Sequence, residues 1–368
     1  MINTNKKKLI LSSMLWFTVI ISISTNFSPK LLYAEQIDTT DSLIMENSNN
    51  LQTKKSDNNH NDGGKFNIAV AADWGCTEDT EKTAENIQGK DPEIVIAAGD
   101  LSYEESADCW FEIIQPFMSK MKIAVGDHEY SDTSGEEEGI ISQYLKPLNL
   151  PKTYYSFDKN NVHFVFIDPF IDYKPGSVQY QFIEHDLRNA ASNPKIDWTF
   201  VAESIPIYTS QSDHPADSNI RDIYHPIFDK YGVDLVFTSD NHNYQRTFPL
   251  KYNSEDDNNP IIADNRQNIY NYKDDNGGVI YLVIGTGGRS LYEIEQQAPF
   301  VAKQDDKNFG FLNIDINDKT LQGTFYANED NDPQYYSVST INNNVVDRFI
   351  ISNMKHQVEQ FLVNSKVS

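Results

Sequence analysis

Several aspartates in this chain stand where a buried strand has just ended. Asp73 follows the apolar run 66–72 (FNIAVAA), Asp100 follows 93–98 (EIVIAA) across Gly99, and Asp127 follows 121–125 across Gly126. Packing a core gives no reason for an acid at such a place. A further tip, Ser239-Asp240-Asn241-His242-Asn243-Tyr244-Gln245-Arg246-Thr247, follows the run 233–238. One acid after one strand commonly caps a helix. Four of them on strand tips need another reason. Converging carboxylates, joined by Tyr103 and the His242 imidazole, make a site for a hard or borderline cation. His128, directly after Asp127, adds a group that titrates near neutral pH and can hand on a proton.

Each tip needs a strand behind it and a rigid layer around it. Between the first three apolar runs lie helix-length segments, roughly 78–88 and 107–119. Strand, polar tip and helix, repeated, is the pattern of a buried parallel sheet, whose strand ends carry the chemistry. Later strands are expected at 162–168, 198–202, 233–238, 278–284, 311–316 and 321–326, with helices at 177–190 and 219–230. The second half is strand-rich, which predicts a second sheet packed on the first. No internal repeat is evident.

In this order, Asp73-Trp74-Gly75, Gly99-Asp100-Leu101-Ser102-Tyr103, Gly126-Asp127-His128-Glu129, Ile205-Pro206-Ile207-Tyr208 and the run 240–247 (DNHNYQRT) resemble a known family. It is the purple acid phosphatase branch of the calcineurin-like metallophosphoesterases. The family's motifs read D-x-G, GDxxY, GNH[ED], a His just before Y-P-x-Y, and GHxHxYxR. The resemblance spans roughly residues 66–350. It implies an α/β fold, a four-layer α/β/β/α sandwich, and metal-dependent hydrolysis of small phosphate esters.

The resemblance also implies two metal sites bridged by one carboxylate. One would use Asp73, Asp100, Tyr103 and His242, with Tyr103 the phenolate that ligates a ferric ion. The second would share Asp100, but Asp127, Ser204 and Asp240 stand where the family has an Asn and two His. That set is all oxygen, and oxygen favours Mn²⁺, Mg²⁺ or Ca²⁺ over Zn²⁺ or Fe²⁺. The centre is thus binuclear or mononuclear, with iron at the intact half. His128 matches the family's His that contacts the substrate phosphate and can protonate the leaving oxygen. The competing expectation is a catalytically degenerate member that keeps the fold as a secreted binding or surface protein.

Other residues carry weaker signals. His214, in the loop after Tyr208, and Glu203, beside Ser204, are alternatives for the ligand position that Ser204 occupies. His163 and His185 read as structural and His60 as solvated. Gly285-Thr286-Gly287-Gly288 reads as a tight turn near the pocket rather than a phosphate loop. Cys76 and Cys109 follow the first two tips, on loops from strands expected to be neighbours. A disulfide is favoured there over two buried thiols, since export permits oxidation.

Composition bounds the rest. The 368 residues are 39 % hydrophobic, enough for a large core, and the formal charge is −24, which argues against a nucleic-acid partner. Two Cys exclude a disulfide-rich miniprotein and a Cys-based zinc fold. Residues 1–34 read as a signal peptide, with Lys6, Lys7 and Lys8 before an apolar stretch from Leu9 to Ile23 and a cut after Ala34. A disordered polar linker is expected over 35–64, the metallophosphoesterase domain over 65–350 and a tail over 351–368. No later stretch approaches the ~20 apolar residues of a membrane span. The sequence leaves the oligomeric state open.

Overall fold

The apolar runs become strands, and the helices between them start on caps that the sequence supplies. The computed structural model describes residues 65–130, 140–272, 277–328 and 344–353. The expected signal peptide, the linker 35–64 and the tail beyond residue 353 lie outside them. β1 (Lys65–Ala71) leads to α1 (Glu78–Lys90), where Thr77 accepts the Thr80 N–H and three acids face the positive helix end. β2 (Ile94–Ala98) leads to α2 (Asp108–Ile114). The single helix expected over 107–119 stops there. Pro116 has no N–H to continue the ladder, and the chain goes on as a 3-10 turn over Gln115–Lys120. β3 (Met121–Ala124) runs into the single turn α3 (Asp127–Tyr130), and α4 (Ile141–Leu145) follows.

The middle of the chain repeats the alternation. β4 (Tyr155–Lys159), β5 (Val162–Phe166), α5 (Val178–Ser192), β6 (Trp198–Ala202), α6 (Ser218–Tyr231) and β7 (Leu235–Thr238) come in turn. Short strands follow: β8 (Tyr244–Thr247), β9 (Leu250–Lys251), β10 (Ile261–Ile262), β11 (Ile269–Tyr272), β12 (Ile280–Ile284) and β13 (Val301–Asp305). Three long strands close the fold: β14 (Gly310–Asn317), β15 (Thr320–Ala327) and β16 (Val345–Asn353). β16 runs three residues past the domain end expected at residue 350.

Two seven-stranded sheets result, ordered β11-β16-β15-β14-β1-β2-β3 and β13-β8-β12-β7-β6-β5-β4. The last three strands thus return to the first sheet instead of extending the second. β14 pairs antiparallel with β1, from Lys65–Asn317 to Val70–Leu312, and covers an edge that β1 would otherwise leave open. Alternation along the strands sorts the layers. Ile68, Val70 and Ile96 face Phe164, Phe200 and Phe237 of the other sheet. Ala69, Val95 and Ala97 face Ile87 of α1 and Trp110 of α2. Val201 and Val236 face Leu187 of α5 and Phe228 of α6. The layers are therefore α/β/β/α. No helix among the described residues is long and apolar enough to cross a membrane.

One buried polar network crosses between the sheets. Arg246 on β8 grips Asp347 on β16 through Nε at 2.6 Å and Nη2 at 3.0 Å, and the Tyr244 hydroxyl donates to the same carboxylate at 2.8 Å. Arg246 and Tyr244 are both fully buried.

Candidate metal centre

β1, β2 and β3 are parallel neighbours, so their C-terminal tips open side by side. The tip of β7 is brought to them from the other sheet: the Asp240 N–H reaches Asp73 Oδ1 at 3.3 Å. Asp73, Asp100, Tyr103 and Asp240 all adopt left-handed backbone, with φ of 53°, 53°, 59° and 69°. Asp tolerates that region, but for a bulky Tyr it costs on the order of 1–3 kcal/mol. The strain gathers where side chains of successive tips must turn inward.

The Tyr103 hydroxyl sits at the focus. Its oxygen lies 2.8 Å from Asp73 Oδ1, 3.1 Å from Asp100 Oδ2 and 2.9 Å from His242 Nε2. His242 Nδ1 is 2.8 Å from the Ser290 carbonyl, which can only accept, so the ring carries a proton there and, in its neutral form, turns an Nε2 lone pair inward. Tyr292 stacks on the same ring at 3.9 Å. One hydroxyl proton cannot satisfy three acceptors, and Asp73 Oδ2 and Asp100 Oδ1 are buried with no hydrogen-bond partner among the described residues. Two carboxylates, a phenol oxygen and an imidazole lone pair in this arrangement fit a transition metal ion.

Asp100 presents one oxygen to each side. Oδ2 faces Tyr103, while Oδ1 faces the tip of β3. A Cβ at Gly126 would stand 1.6 Å from Oδ1, so only glycine lets that backbone pass. Gly285 is constrained in the same way, since a Cβ there would meet Asp73 Oδ2 at 2.6 Å and the Asn241 carbonyl at 2.1 Å. Beyond Oδ1, ligand atoms of Asp100, Asp127 and His128 lie within 4.8 Å of one another. Ser204 is buried with its hydroxyl unpartnered among the described residues.

The electrostatics are those of acids crowded together. Burial, then the charges of Asp73, Glu129, Asp127 and Asp240, push Asp100 well above the usual carboxylate range. Asp240 is pushed up to about 6, chiefly by burial, with His214 opposing and Asp73 and Asp127 assisting. Burial, then the charges of Asp73 and Asp100 and the hydrogen bonds to them, push the Tyr103 phenol far up. His128 is held below the usual imidazole range by burial, against Asp127 and Asp73, with Arg289 assisting the fall. A cation would reverse the logic for every acid here.

The two alternative ligands differ in placement. Glu203, just after β6, is fully buried, and burial followed by the Asp217 charge pushes it up to about 8. His214 lies beside Asp240, Nδ1 to Oδ1 3.8 Å. His163 is structural: it bridges Asp158 at 2.6 Å and Asp186 at 2.9 Å. Cys76 and Cys109 form a disulfide that ties the loop after Asp73 to the start of α2. Sequence reasoning missed Glu129, Arg289, Ser290 and Tyr292. Glu129 accepts from the N–H groups of Asp100, Leu101 and Gly126 at 3.1, 2.8 and 2.7 Å, and so braces two ligand loops. Its neighbour in GDHE drew attention to chemistry, and the brace itself had no separate signal.

Comparison with known proteins agrees with this geometry. Residues 66–244 match the family described as calcineurin-like phosphoesterase, and residues 278–336 match iron/zinc purple acid phosphatase-like protein C. The chain is 27 % identical over 261 residues to purple acid phosphatase 23 of Arabidopsis thaliana, covering 60 % of this chain and 52 % of that protein. It is 28 % identical over 255 residues to probable inactive purple acid phosphatase 24 of the same plant, covering 62 % and 40 %. The solved structure of a purple acid phosphatase from yellow lupin seeds superposes with a TM-score of 0.62 at 22 % identity, covering 79 % of this chain and 54 % of that one, a likeness of fold. The chain spans about half the length of the curated relatives it matches.

Proposed function

The chain carries a calcineurin-like phosphoesterase domain followed by a purple acid phosphatase-like C-terminal segment, and from that premise we propose that it hydrolyses small phosphate esters with bound metal ions. The observation that carries the reading is the focus at Tyr103, where two carboxylates, a phenol and an imidazole lone pair meet with too few protons to satisfy them. Asp73, Asp100, Tyr103 and His242 would hold the first ion, iron by ligand type. Asp100, Asp127, Asp240 and the Ser204 hydroxyl would hold a second, hard cation. When bound, such ions supply positive charge to the phosphoryl oxygens and lower the pKa of the attacking water.

The protein's own groups do the remaining work. Ser290 and Tyr292 fix the His242 ring, so that its lone pair is aimed before substrate arrives. Glu129 keeps the Asp100 and Asp127 loops in register. His128, half-buried and packed 4.0 Å from the Tyr103 ring, protonates the leaving oxygen. The Cys76–Cys109 disulfide and the N-terminal basic and apolar segment support an exported protein.

The replaced ligands at 127, 204 and 240 favour a second reading, a degenerate member that binds without turnover. One experiment separates the two. Purified protein should retain metal and turn over a generic aryl phosphate, chelation should remove that activity, and Asp73→Asn should lower it at least about 100-fold. A metal-free protein after gentle purification, inert with every added cation, would sink the phosphoesterase reading.

A further inference from the structure

Around the centre one residue carries a permanent positive charge and is claimed by no acid. Arg289 follows the turn after β12; its backbone N–H donates to the Asp73 carbonyl at 2.9 Å, and its side chain is exposed. The guanidinium carbon stands 4.8 Å from the centroid of the Tyr103 ring. Its guanidinium forms no ion pair or hydrogen bond among the described residues, although the hydroxyl of the ring beneath it contacts both Asp73 and Asp100. An arginine stacked on an aromatic ring keeps its planar fork of donors free, pre-oriented and charged at any working pH.

Such a fork matches the terminal oxygens of a phosphate in a two-point contact. The need for it follows from the rest of the centre. Asp127 and Asp240 add two negative charges where the resembled family has neutral ligands, so an incoming dianion meets more repulsion here. A monoester brings one more terminal oxygen and one more charge than a diester, and a free guanidinium rewards both.

We propose that Arg289 binds the phosphoryl oxygens of the substrate and makes the site prefer phosphate monoesters over diesters. This inference rests on the phosphoesterase reading above. Arg289 then does for the substrate what Tyr103 does for the metal, and the stack between the two places the anion beside His128. The simpler role, stacking of the guanidinium on Tyr103, needs no bound anion.

The test uses the metal-loaded full chain, with Arg289→Met keeping the stem and Arg289→Lys keeping the charge. Binding of inorganic phosphate is measured by calorimetry, and kcat/KM is measured for an aryl phosphate monoester and the corresponding diester. Arg289→Met should weaken phosphate binding about 10- to 100-fold. It should also lower the monoester-to-diester ratio of kcat/KM, with Arg289→Lys between it and the wild type and metal content unchanged in both. Phosphate affinity within twofold of wild type in Arg289→Met, or an unmoved ratio, overturns the inference and leaves the phosphoesterase reading standing. Loss of metal in Arg289→Met that Arg289→Lys does not share also overturns it, since Arg289 would then be acting through Tyr103. A wild type that binds no phosphate when loaded overturns both.

Discussion

Three acceptors share one hydroxyl at Tyr103, and that crowding is the most specific sign of what the centre holds. Tyr103→Phe removes the oxygen but keeps the ring that packs against His128 and Arg289. The variant should fold, lose any visible phenolate-to-iron absorption and bind the first metal about 10-fold more weakly or worse. Absorption spectra and metal analysis of the pair check this; a visible band that survives in Tyr103→Phe places the chromophore on another residue. The clustering of aspartates was legible in the sequence because an acid at the tip of a buried strand has no packing reason to be there. Arg289, Ser290 and Tyr292 were not. They reach the centre only because the chain folds back, with Ser290 meeting a histidine 48 residues earlier, and nothing local marks them. Asp127 is exposed, and Ser204 is buried with its hydroxyl unpartnered among the described residues.

Strands and helices hold those residues at fixed angles, and two cross-links secure the elements, one beside the centre and one at the edge of the second sheet. The disulfide closes a loop between positions 33 apart, a constraint worth about 3 to 4 kcal/mol in the chain-entropy model. The second link is His163 on β5, which bonds Asp158 on the adjacent β4 and Asp186 on α5, and so ties the helix layer to the edge of its sheet. Burial alone would push this imidazole down, but the hydrogen bonds to Asp186 and Asp158 win and raise it above its usual 6.5. A raised histidine contributes stability that is full below pH 6.5 and lost as pH climbs through the folded-state value. His163→Gln should therefore cost about 1 to 2 kcal/mol at pH 6, with the difference from wild type shrinking at alkaline pH. Denaturant unfolding at several pH values reads this directly, and a pH-independent difference contradicts it. Long apolar strands and capped helices were legible at this scale. β8, β11 and β13 were not, because they are short and carry Gln, Asn and Lys; the break at Pro116 was overlooked inside an amphipathic stretch.

Across the whole molecule, the tips of the two sheets meet at Asp73 and Asp240, and the last strands decide how firmly. β16 returns to the first sheet and brings Asp347 against Arg246, just beyond the tip that carries Asp240 and His242. Removing one partner of such a buried pair typically costs about 3–5 kcal/mol, so the Tyr244 and Arg246 that the run DNHNYQRT shares with its family are structural. The alternation of strands and helices made a buried sheet and a second sheet packed on it legible, and the resemblance implied the four-layer sandwich. The return of β14–β16 was not legible, since strand order depends on which edge is left open. The net charge of −24 makes the cation question central, because two of the acids crowd the second site. The most direct measurement is hydrolysis of an aryl phosphate monoester by metal-depleted protein, its iron restored, titrated with Mn²⁺, Mg²⁺, Ca²⁺ and Zn²⁺. Wild type should respond to Mn²⁺, Mg²⁺ or Ca²⁺ rather than Zn²⁺, Asp240→Ala should need about 10-fold more cation, and the triple variant Asp127→Asn, Ser204→His, Asp240→His should shift towards Zn²⁺ or Fe²⁺. A wild type inert with every cation, beside a triple variant that turns over substrate, would contradict the hard-cation centre and leave a degenerate phosphoesterase fold in its place.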